Sequence, residues 1–477
     1  MQHQLNILRN DPELRDRYLR YAALALPRHT SYPAVPFWKD RAPRDYRSAL
    51  VSECPAQGWS LYVHVPFCES LCYFCCCTRE ILPKKSRRHW TEQVALFLRT
   101  VEAEALAVSA TLTSPAKVEQ LHLGGGTPNY LTSDQLVRLV VRLEELFDIS
   151  PGAERSVEID PRTCTQEQIA CLRSLGFTRY SLGIQDFDPE VQRLVNRIQP
   201  VEQVARVLGQ IRSAGAASVN FDLIYGLPGQ TPESFCRTIE HTLAFRPDRI
   251  ALYRLAVLPD MFRWQRAFGR DALPDSDTLL DMFLTAVQMF QAAGYSWIGL
   301  DHFALSQDAL SQAYRSRRLR RTFQGITTGH GLSVLGFGPS AISILHDSYY
   351  QNRKTTSEWS EAIQNDGLAT FRGVELSRDD LVRREVIEAL YCYGHADVAR
   401  LAERYGLDAT VYFRRERSAL EELAGEGIVT VREPFEVRLT FPLGRLLTRV
   451  VAAVFDHYLP PDAYRSGLAA NVASRVG

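Results

Sequence analysis

Net charge is the first thing missing from this chain. Its 55 Lys and Arg residues are offset by 55 Asp and Glu, for a formal charge of zero. The balance gives no electrostatic reason to expect a nucleic-acid or anionic-membrane partner. Long apolar runs are missing too. A rich one, from Val450 to Phe455, stops at Asp456, far short of the roughly 20 residues that cross a bilayer, so no membrane insertion is expected. The opening residues, Met1 to Asp11, carry charges where a secretory leader has its apolar core. A disulfide framework is also lacking. Of ten cysteines, five crowd together as Cys68, Cys72, Cys75, Cys76 and Cys77, unlike the spread pairs of a secreted domain. These absences predict a reducing compartment, the cytoplasm.

What is present is length and rhythm. With 477 residues and 45% hydrophobic composition, the chain can build a large core and a second, smaller domain. Residues 1–58 are charged and carry prolines, including Pro27-Arg-His-Thr-Ser-Tyr-Pro33. They read as an arm that packs on something else. Strand-like runs then recur at 61–65, 119–123, 156–159, 180–184, 219–225 and 249–255. Amphipathic helical stretches separate or follow them at 90–108, 133–147, 166–175, 201–214, 232–244 and 277–293. Leu136, Leu139, Val140, Leu143 and Phe147, for example, fall at helical spacing. Ser133 and Asp277 stand where N-caps belong, and Gly176 and Gly294 where helices end.

Strand then helix, repeated about six times, predicts parallel strands with right-handed crossovers. Polar residues follow nearly every strand, as when all strand C-termini ring one mouth, which favours a partial barrel over a Rossmann sheet. A further strand is expected over 297–301. From about residue 357 the texture turns helical, with a hairpin predicted over 427–440. The expected division is an N-terminal arm (1–58), a barrel with an extension (59–355) and a mostly helical C-terminal domain (356–477).

Directly after the run at 61–65 comes His64-Val-Pro-Phe-Cys68-Glu-Ser-Leu-Cys72-Tyr-Phe-Cys75. Three thiolates on one tight loop can hold three corners of a four-iron, four-sulfide cluster and leave one iron open. An open position is what separates a catalytic centre from a closed structural one. A zinc knuckle is the competing reading, because Cys72 and Cys75 have its spacing. The second ligand pair is missing, since Cys164, Cys171, Cys236 and Cys392 form no such pair. Phe67, Tyr73 and Phe74 would shield a cluster and adjust its potential. Cys76 and Cys77 are rival ligands, although adjacent cysteines reach adjacent corners only with strain.

On the next turn stands Leu123-Gly-Gly-Gly-Thr-Pro128. Glycines allow the main chain to approach a ligand and expose its N–H groups. No Gly-Lys-Ser/Thr follows, which disfavours a phosphate loop and leaves a plain tight turn or a cofactor seat. Glu158, Gln185 and Asp222 lie in or just after apolar runs. Each serves equally well as a buried polar group fixing register or as a holder of a cofactor's ribose, adenine and charged end. The run Arg315-Ser-Arg-Arg-Leu-Arg-Arg321 reads as a solvated helix face, or as a bidentate clamp if the substrate carries several carboxylates.

The Cys-x-x-x-Cys-x-x-Cys spacing resembles the signature of radical S-adenosylmethionine (SAM) enzymes. Longer stretches resemble one family among them, the oxygen-independent coproporphyrinogen III oxidases. They include Pro27-Arg-x-Thr-Ser-Tyr-Pro33, Cys72-Tyr-Phe-Cys75-x-Cys77, Gly124-Gly-Gly-Thr-Pro-x-Tyr-Leu131, Glu158-x-Asp-Pro-Arg162, Gly183-x-Gln-Asp-Phe187 and Val191-Gln-Arg-Leu-Val-Asn-Arg197. Asp222-Leu-Ile-Tyr-Gly-Leu-Pro228, Gly299-x-Asp-His-Phe-Ala304 and Gly338-x-Ser-Ala-Ile-Ser343 continue the match.

The resemblance implies an α/β fold, the radical SAM partial (β/α)6 TIM-like barrel, with a [4Fe-4S] cluster on Cys68, Cys72 and Cys75. It implies two SAM molecules. One lies against Tyr62, Gly125, Glu158, Ala256 and Ile342, the second against Phe74, Gly126, Thr127, Gln185, Arg197 and Asp222. Reductive cleavage of SAM would begin the conversion of the ring A and B propionates of coproporphyrinogen III to vinyl groups, giving protoporphyrinogen IX in haem biosynthesis. The four carboxylates of that substrate give Arg28 and Arg321 a reason to line the mouth. An electron donor such as flavodoxin or ferredoxin and a monomeric enzyme are expected. Three positions depart from the family's usual residues: Cys76 for Gly, His29 for Tyr and Thr78 for Asn. The alternatives are a haem-binding chaperone and another radical SAM enzyme acting on tetrapyrroles. The Thr-Ser-Tyr-Pro segment and Cys77 count against the chaperone.

Overall fold

The computed structural model describes residues 2–84, 87–269 and 272–465. Two compact units emerge. The larger comprises Lys39–Pro274 and Gly331–Glu375; the smaller comprises, of the described residues, 2–38, 275–330 and 376–465.

In the larger unit the alternating pattern becomes strands β1 (Trp59–Val65), β2 (Lys117–Gly125), β3 (Asp148–Ile159), β4 (Arg179–Gln185), β5 (Ser218–Tyr225) and β6 (Arg249–Arg254). Each pairs in parallel with the next in chain order. Helices α1 (Arg87–Thr111), α2 (Ser133–Leu146), α3 (Gln166–Ser174), α4 (Val201–Ser213) and α5 (Pro232–Phe245) make the crossovers. Leu61, Val63 and Val65 of β1 are fully buried, and Ser60 and His64 on the other face are buried too, with Tyr62 partly so. Helices and neighbouring strands cover both faces, as parallel sheets require. This is the α/β arrangement the alternation predicts.

Four strands of this unit beyond β6 escape prediction. Ser333–Phe337 (β7) runs parallel to β1 on the side away from β2. It leads into an antiparallel meander of Ile342–Ile344, Ser348–Asn352 and Thr370–Glu375. These strands are short and one carries a glycine at its centre, so they lack the apolar length that marks β1–β6.

Caps differ from expectation by a residue or two. Thr132, not Ser133, caps α2, in a reciprocal box with Gln135. Asp275, not Asp277, caps the helix Ser276–Ala292 by accepting from the Thr278 amide at 2.8 Å. A capping oxygen must reach amides two or three residues ahead, which only the residue outside the first turn does. Gly176 and Gly294 do end their helices, at φ +80° and +90°.

The unit boundaries fall elsewhere than the change in texture. The first cut lies after Trp38, inside the stretch read as one arm, and the last after Glu375. The helix Thr356–Asp366 stays with the larger unit because Trp359, fully buried, donates to Glu104 of α1 at 3.1 Å. The further strand expected over 297–301 is present two residues earlier. Tyr295–Ile298 turns through Gly299 and pairs antiparallel with His302–Leu305.

In the smaller unit the predicted hairpin is present as Val429–Arg432 against Glu436–Leu439, with His395–Asp397 on its other edge. Residues 466–477 of the expected C-terminal domain lie outside the described residues. No helix among those described is long and apolar enough to cross a membrane.

Candidate active site

The cysteine loop leaves the C-terminal end of β1 and is tied at both ends. Phe67 and Cys68 pair with Glu80 and Ile81 as a short parallel ladder. The amides of Glu80 and Leu82 donate to the carbonyls of Pro66 and Cys68 at 2.7 and 2.9 Å. Midway, the Tyr73 amide donates to the Val195 carbonyl at 3.0 Å, and Asn196 Nδ2 donates to the Leu71 carbonyl at 2.7 Å. Tyr73 and Phe74 pack on an apolar cluster that includes Val191, Val195, Leu227, Leu255 and Phe268. From beyond β6, the Trp264 indole N–H donates to the Cys75 carbonyl at 3.2 Å. Buried Gln265 reaches the Cys76 sulfur at 3.5 Å. Arg79 lies over the Trp264 ring at 4.3 Å and donates to the Cys77 carbonyl at 2.7 Å.

The three spaced thiols meet different surroundings. Cys68 lies 3.3 Å from the Thr127 hydroxyl, and burial pushes its thiol up to about 11. Cys75 is held below the ordinary thiol value by hydrogen bonding from Cys77 and by Arg79 and Arg197, against its burial; the same pairing raises Cys77. Cys72 is buried and accepts from two guanidinium groups, Arg162 Nη2 and Arg197 Nη1, each at 3.6 Å.

Asp160 stands between those arginines. It takes Arg162 Nη2 at 2.7 Å and Arg197 Nη2 at 3.4 Å. Burial opposes its charge, but the two cations outweigh that and hold the carboxylate at about 2. Asn129, just past the glycine turn, fixes Asp160 by exchanging hydrogen bonds with its main chain.

Close approach shapes the turn Gly124-Gly-Gly126. A Cβ on Gly124 would stand 2.9 Å from both Glu158 Oε1 and His122 Nε2; one on Gly126 would stand 2.7 Å from the Pro66 carbonyl. Gly125, at φ +112°, sits against the His64 ring and donates its amide to Glu158 Oε2 at 3.0 Å. His122 approaches the other carboxylate oxygen at 3.5 Å. Burial works against Glu158, yet His122 and the Gly125 amide keep it below the usual carboxylate range.

The Tyr62 ring stacks on His122 at 5.8 Å, and its hydroxyl meets His64 Nδ1 at 3.0 Å. His64 Nε2 faces the Thr78 carbonyl at 2.8 Å. A carbonyl only accepts, so Nε2 carries the hydrogen and Nδ1 accepts from Tyr62. Burial lowers the His64 pKa, consistent with a neutral ring.

Other predicted residues are placed as follows. Gln185 ends β4 at φ +70°, a left-handed conformation costing a non-glycine residue about 1–3 kcal/mol. Arg197 Nη2 reaches back to the Gly183 carbonyl at 2.6 Å. Asp222 accepts from Ser181 Oγ and Asn220 Nδ2 at 2.8 and 3.0 Å. Ala256 follows β6, its carbonyl bound by Gln265 at 2.9 Å, and Ile342 lies against β7, its main chain closing on Gly336.

Arg28 and Arg321 belong to the smaller unit. Arg321 donates to the carbonyls of Arg28 and His29 at 2.9 and 3.1 Å and lies over the Tyr391 ring at 4.4 Å. It fastens the main chain of the N-terminal segment, whereas Arg28 is exposed. His29 pairs with Asp456 at 2.9 Å, both side chains fully buried.

Sequence reasoning did not single out Asp160, Arg162, His64, His122, Asn129, Trp264 or Gln265. The first two were legible as polar residues directly after β3. The last two lie 189 positions from their partners, beyond any spacing rule.

A four-iron cluster fits this donor set. Three cysteines stand on one loop braced by main-chain hydrogen bonds, and cysteine thiolates are the usual ligands of such a cluster. Buried Arg197 Nε also has no acceptor from the protein, which leaves a donor at the site for a bound group.

Residues 62–242 match the Radical SAM superfamily. The chain is 41% identical over 438 residues to the oxygen-independent coproporphyrinogen III oxidase of Salmonella typhimurium, covering 92% of this chain and 94% of that relative. It is 39% identical over 461 residues to the enzyme of the same name from Pseudomonas aeruginosa, covering 96% and 97%. The structure resembles Escherichia coli coproporphyrinogen III oxidase, itself a radical SAM enzyme, with a TM-score of 0.86 at 38% identity, over 91% of this chain and 98% of that one. Strand order, cysteine loop and full-length similarity agree, and the chain belongs to the oxygen-independent coproporphyrinogen III oxidases of the radical SAM superfamily.

Proposed function

We propose that this protein converts coproporphyrinogen III to protoporphyrinogen IX without oxygen, by oxidative decarboxylation of the propionates on rings A and B in haem biosynthesis. The observation that carries this reading is the cysteine loop, pinned beside the triple-glycine turn within a chain alike over nine-tenths of its length to enzymes of that name. The cofactors are a [4Fe-4S] cluster and SAM, which when bound supply one-electron chemistry able to remove hydrogen from unactivated carbon.

Cys68, Cys72 and Cys75 would hold the cluster and leave one iron without a protein ligand, where the amino and carboxylate end of SAM would bind. Glu158, which accepts from the Gly125 amide, would meet that end, and Tyr62, Gly125, Ala256 and Ile342 would complete the first SAM site. Phe74, Gly126, Thr127, Gln185, Arg197 and Asp222 serve a second SAM. Two sites suit a substrate that reacts twice. The aromatic packing of Tyr73 and Phe74 keeps water from the reacting groups. Exposed Arg28 is a better partner for a substrate carboxylate than Arg321, whose guanidinium binds the main chain. A small reducing protein such as flavodoxin or ferredoxin delivers electrons to a cytoplasmic monomer.

The test is an anaerobic assay with coproporphyrinogen III, SAM and a reductant. The expected product has lost two carboxyl groups, and Cys72→Ala abolishes its formation. Stoichiometric haem binding with no product would overturn the reading in favour of a haem chaperone. Methylated product would favour another tetrapyrrole-directed radical SAM enzyme.

A further inference from the structure

Nothing assigned so far uses Arg162. Its Nε and Nη2 grip Asp160 at 3.0 and 2.7 Å, and the same Nη2 stands 3.6 Å from the Cys72 sulfur. Arg197 repeats the arrangement from the other side, with Nη1 3.6 Å from that sulfur and Nη2 3.4 Å from Asp160. Two guanidinium groups thus share one carboxylate and one thiol, leaving a single positive charge in excess beside Cys72. Cys72, Asp160 and Arg197 are all buried, so solvent screens this charge little. The arrangement is braced: the Arg162 amide binds Asp160 Oδ1 at 3.0 Å, Gln203 holds the Arg162 carbonyl at 3.0 Å, and Asn129 fixes the Asp160 main chain. Cys68, by contrast, meets the neutral Thr127 hydroxyl.

We propose that Arg162, together with Arg197, sets the reduction potential of the cluster through Cys72, with Asp160 as the positioning residue that aims both guanidinium groups at its sulfur. Hydrogen bonds and positive charge at a ligating sulfur favour the reduced, more negative cluster and raise its potential. The pair therefore eases entry of the electron on which turnover depends. A salt bridge present only for folding would give Asp160 one arginine and need no approach to sulfur.

This inference rests on the cluster reading above, and its test separates the two. Wild type, Arg162→Gln and Arg162→Lys are reconstituted anaerobically without SAM or substrate. Iron and sulfide are measured, and the midpoint potential is titrated by electron paramagnetic resonance. A wild type without iron and sulfide refutes the cluster reading itself. With cluster present, Arg162→Gln is expected to load normally and titrate at a more negative potential than wild type. Arg162→Lys, which keeps the charge but cannot span both partners, is expected to fall between them. A fully loaded Arg162→Gln at the wild-type potential overturns the proposal. If that variant does not load, Arg162→Lys decides: a negative shift supports the proposal, and an unchanged potential overturns it. Failure of both folded variants to load also overturns it, since Arg162 would then serve assembly and not potential.

Discussion

The indole N–H of Trp264 donates to the main-chain carbonyl of Cys75 across 3.2 Å, so a residue beyond β6 restrains a loop that leaves β1. Trp264→Phe keeps an aromatic surface for Arg79 and removes only the donor. The loss is about 1 kcal/mol, roughly a fivefold change in the open population of the loop. Alkylation of Cys75, Cys76 and Cys77 in cluster-free protein, followed by mass spectrometry, should quicken by that factor. An unchanged rate would show that the bond does not restrain the loop.

Gly126→Ala places a methyl group 2.7 Å from the Pro66 carbonyl and 2.9 Å from that of Phe67. Both obstacles are main chain, so the cysteine loop has to shift. Overpacking of this kind costs about 1–3 kcal/mol. Urea titration should show a lower midpoint with unchanged slope, together with lower iron content on reconstitution. Wild-type values for both would contradict the close approach.

Glu158→Gln keeps an acceptor for the Gly125 amide but removes the charge facing His122. If Glu158 meets the amino end of SAM, losing a charged hydrogen bond costs about 1.5–3 kcal/mol. Calorimetric titration of the reconstituted variant should then give SAM affinity weaker by roughly tenfold to a hundredfold. Equal affinity would remove Glu158 from the SAM site.

Glu104 predicts a pH dependence of stability. It is buried in α1, where it accepts from the Gly338 amide, Asn352 and Trp359. Burial pushes its pKa up to about 8, and the three neutral donors recover only part of that. The folded state thus binds a proton that the unfolded chain releases near its ordinary value of 4.5. The contribution is complete below that value and is lost as pH rises towards about 8. Each unit of the window is worth at most about 1.4 kcal/mol. Urea midpoints of wild type should fall across it, and Glu104→Gln should flatten the fall. An equal slope in both would assign the dependence to other groups.

How far the sequence could be read follows from how far apart the partners lie along it. Strands β1–β6 and helices α1–α5 were legible because each carries its own periodicity, as Leu136, Leu139, Val140 and Leu143 do on α2. The cysteines were legible because one loop holds them all. Arg162 and Arg197 were not legible as partners of Cys72, since they lie 90 and 125 positions away and meet it only after β3 and β4 have aligned. Strand β7 was hidden by its shortness, and the place of the helix Thr356–Asp366 by buried contacts to distant α1, Trp359 to Glu104 and Ser360 to Thr100. Local pattern reveals elements, while tertiary pairing decides which unit they join and which sulfur they face.

The ladder that joins Phe67 and Cys68 to Glu80 and Ile81 makes the cysteine loop a noose whose knot is peptide, independent of any inorganic centre. Its shape is therefore inherited from the barrel. A chain that has lost its iron and sulfide would therefore keep both ends of that loop tied, and reinserting them would call for no new main-chain pairing.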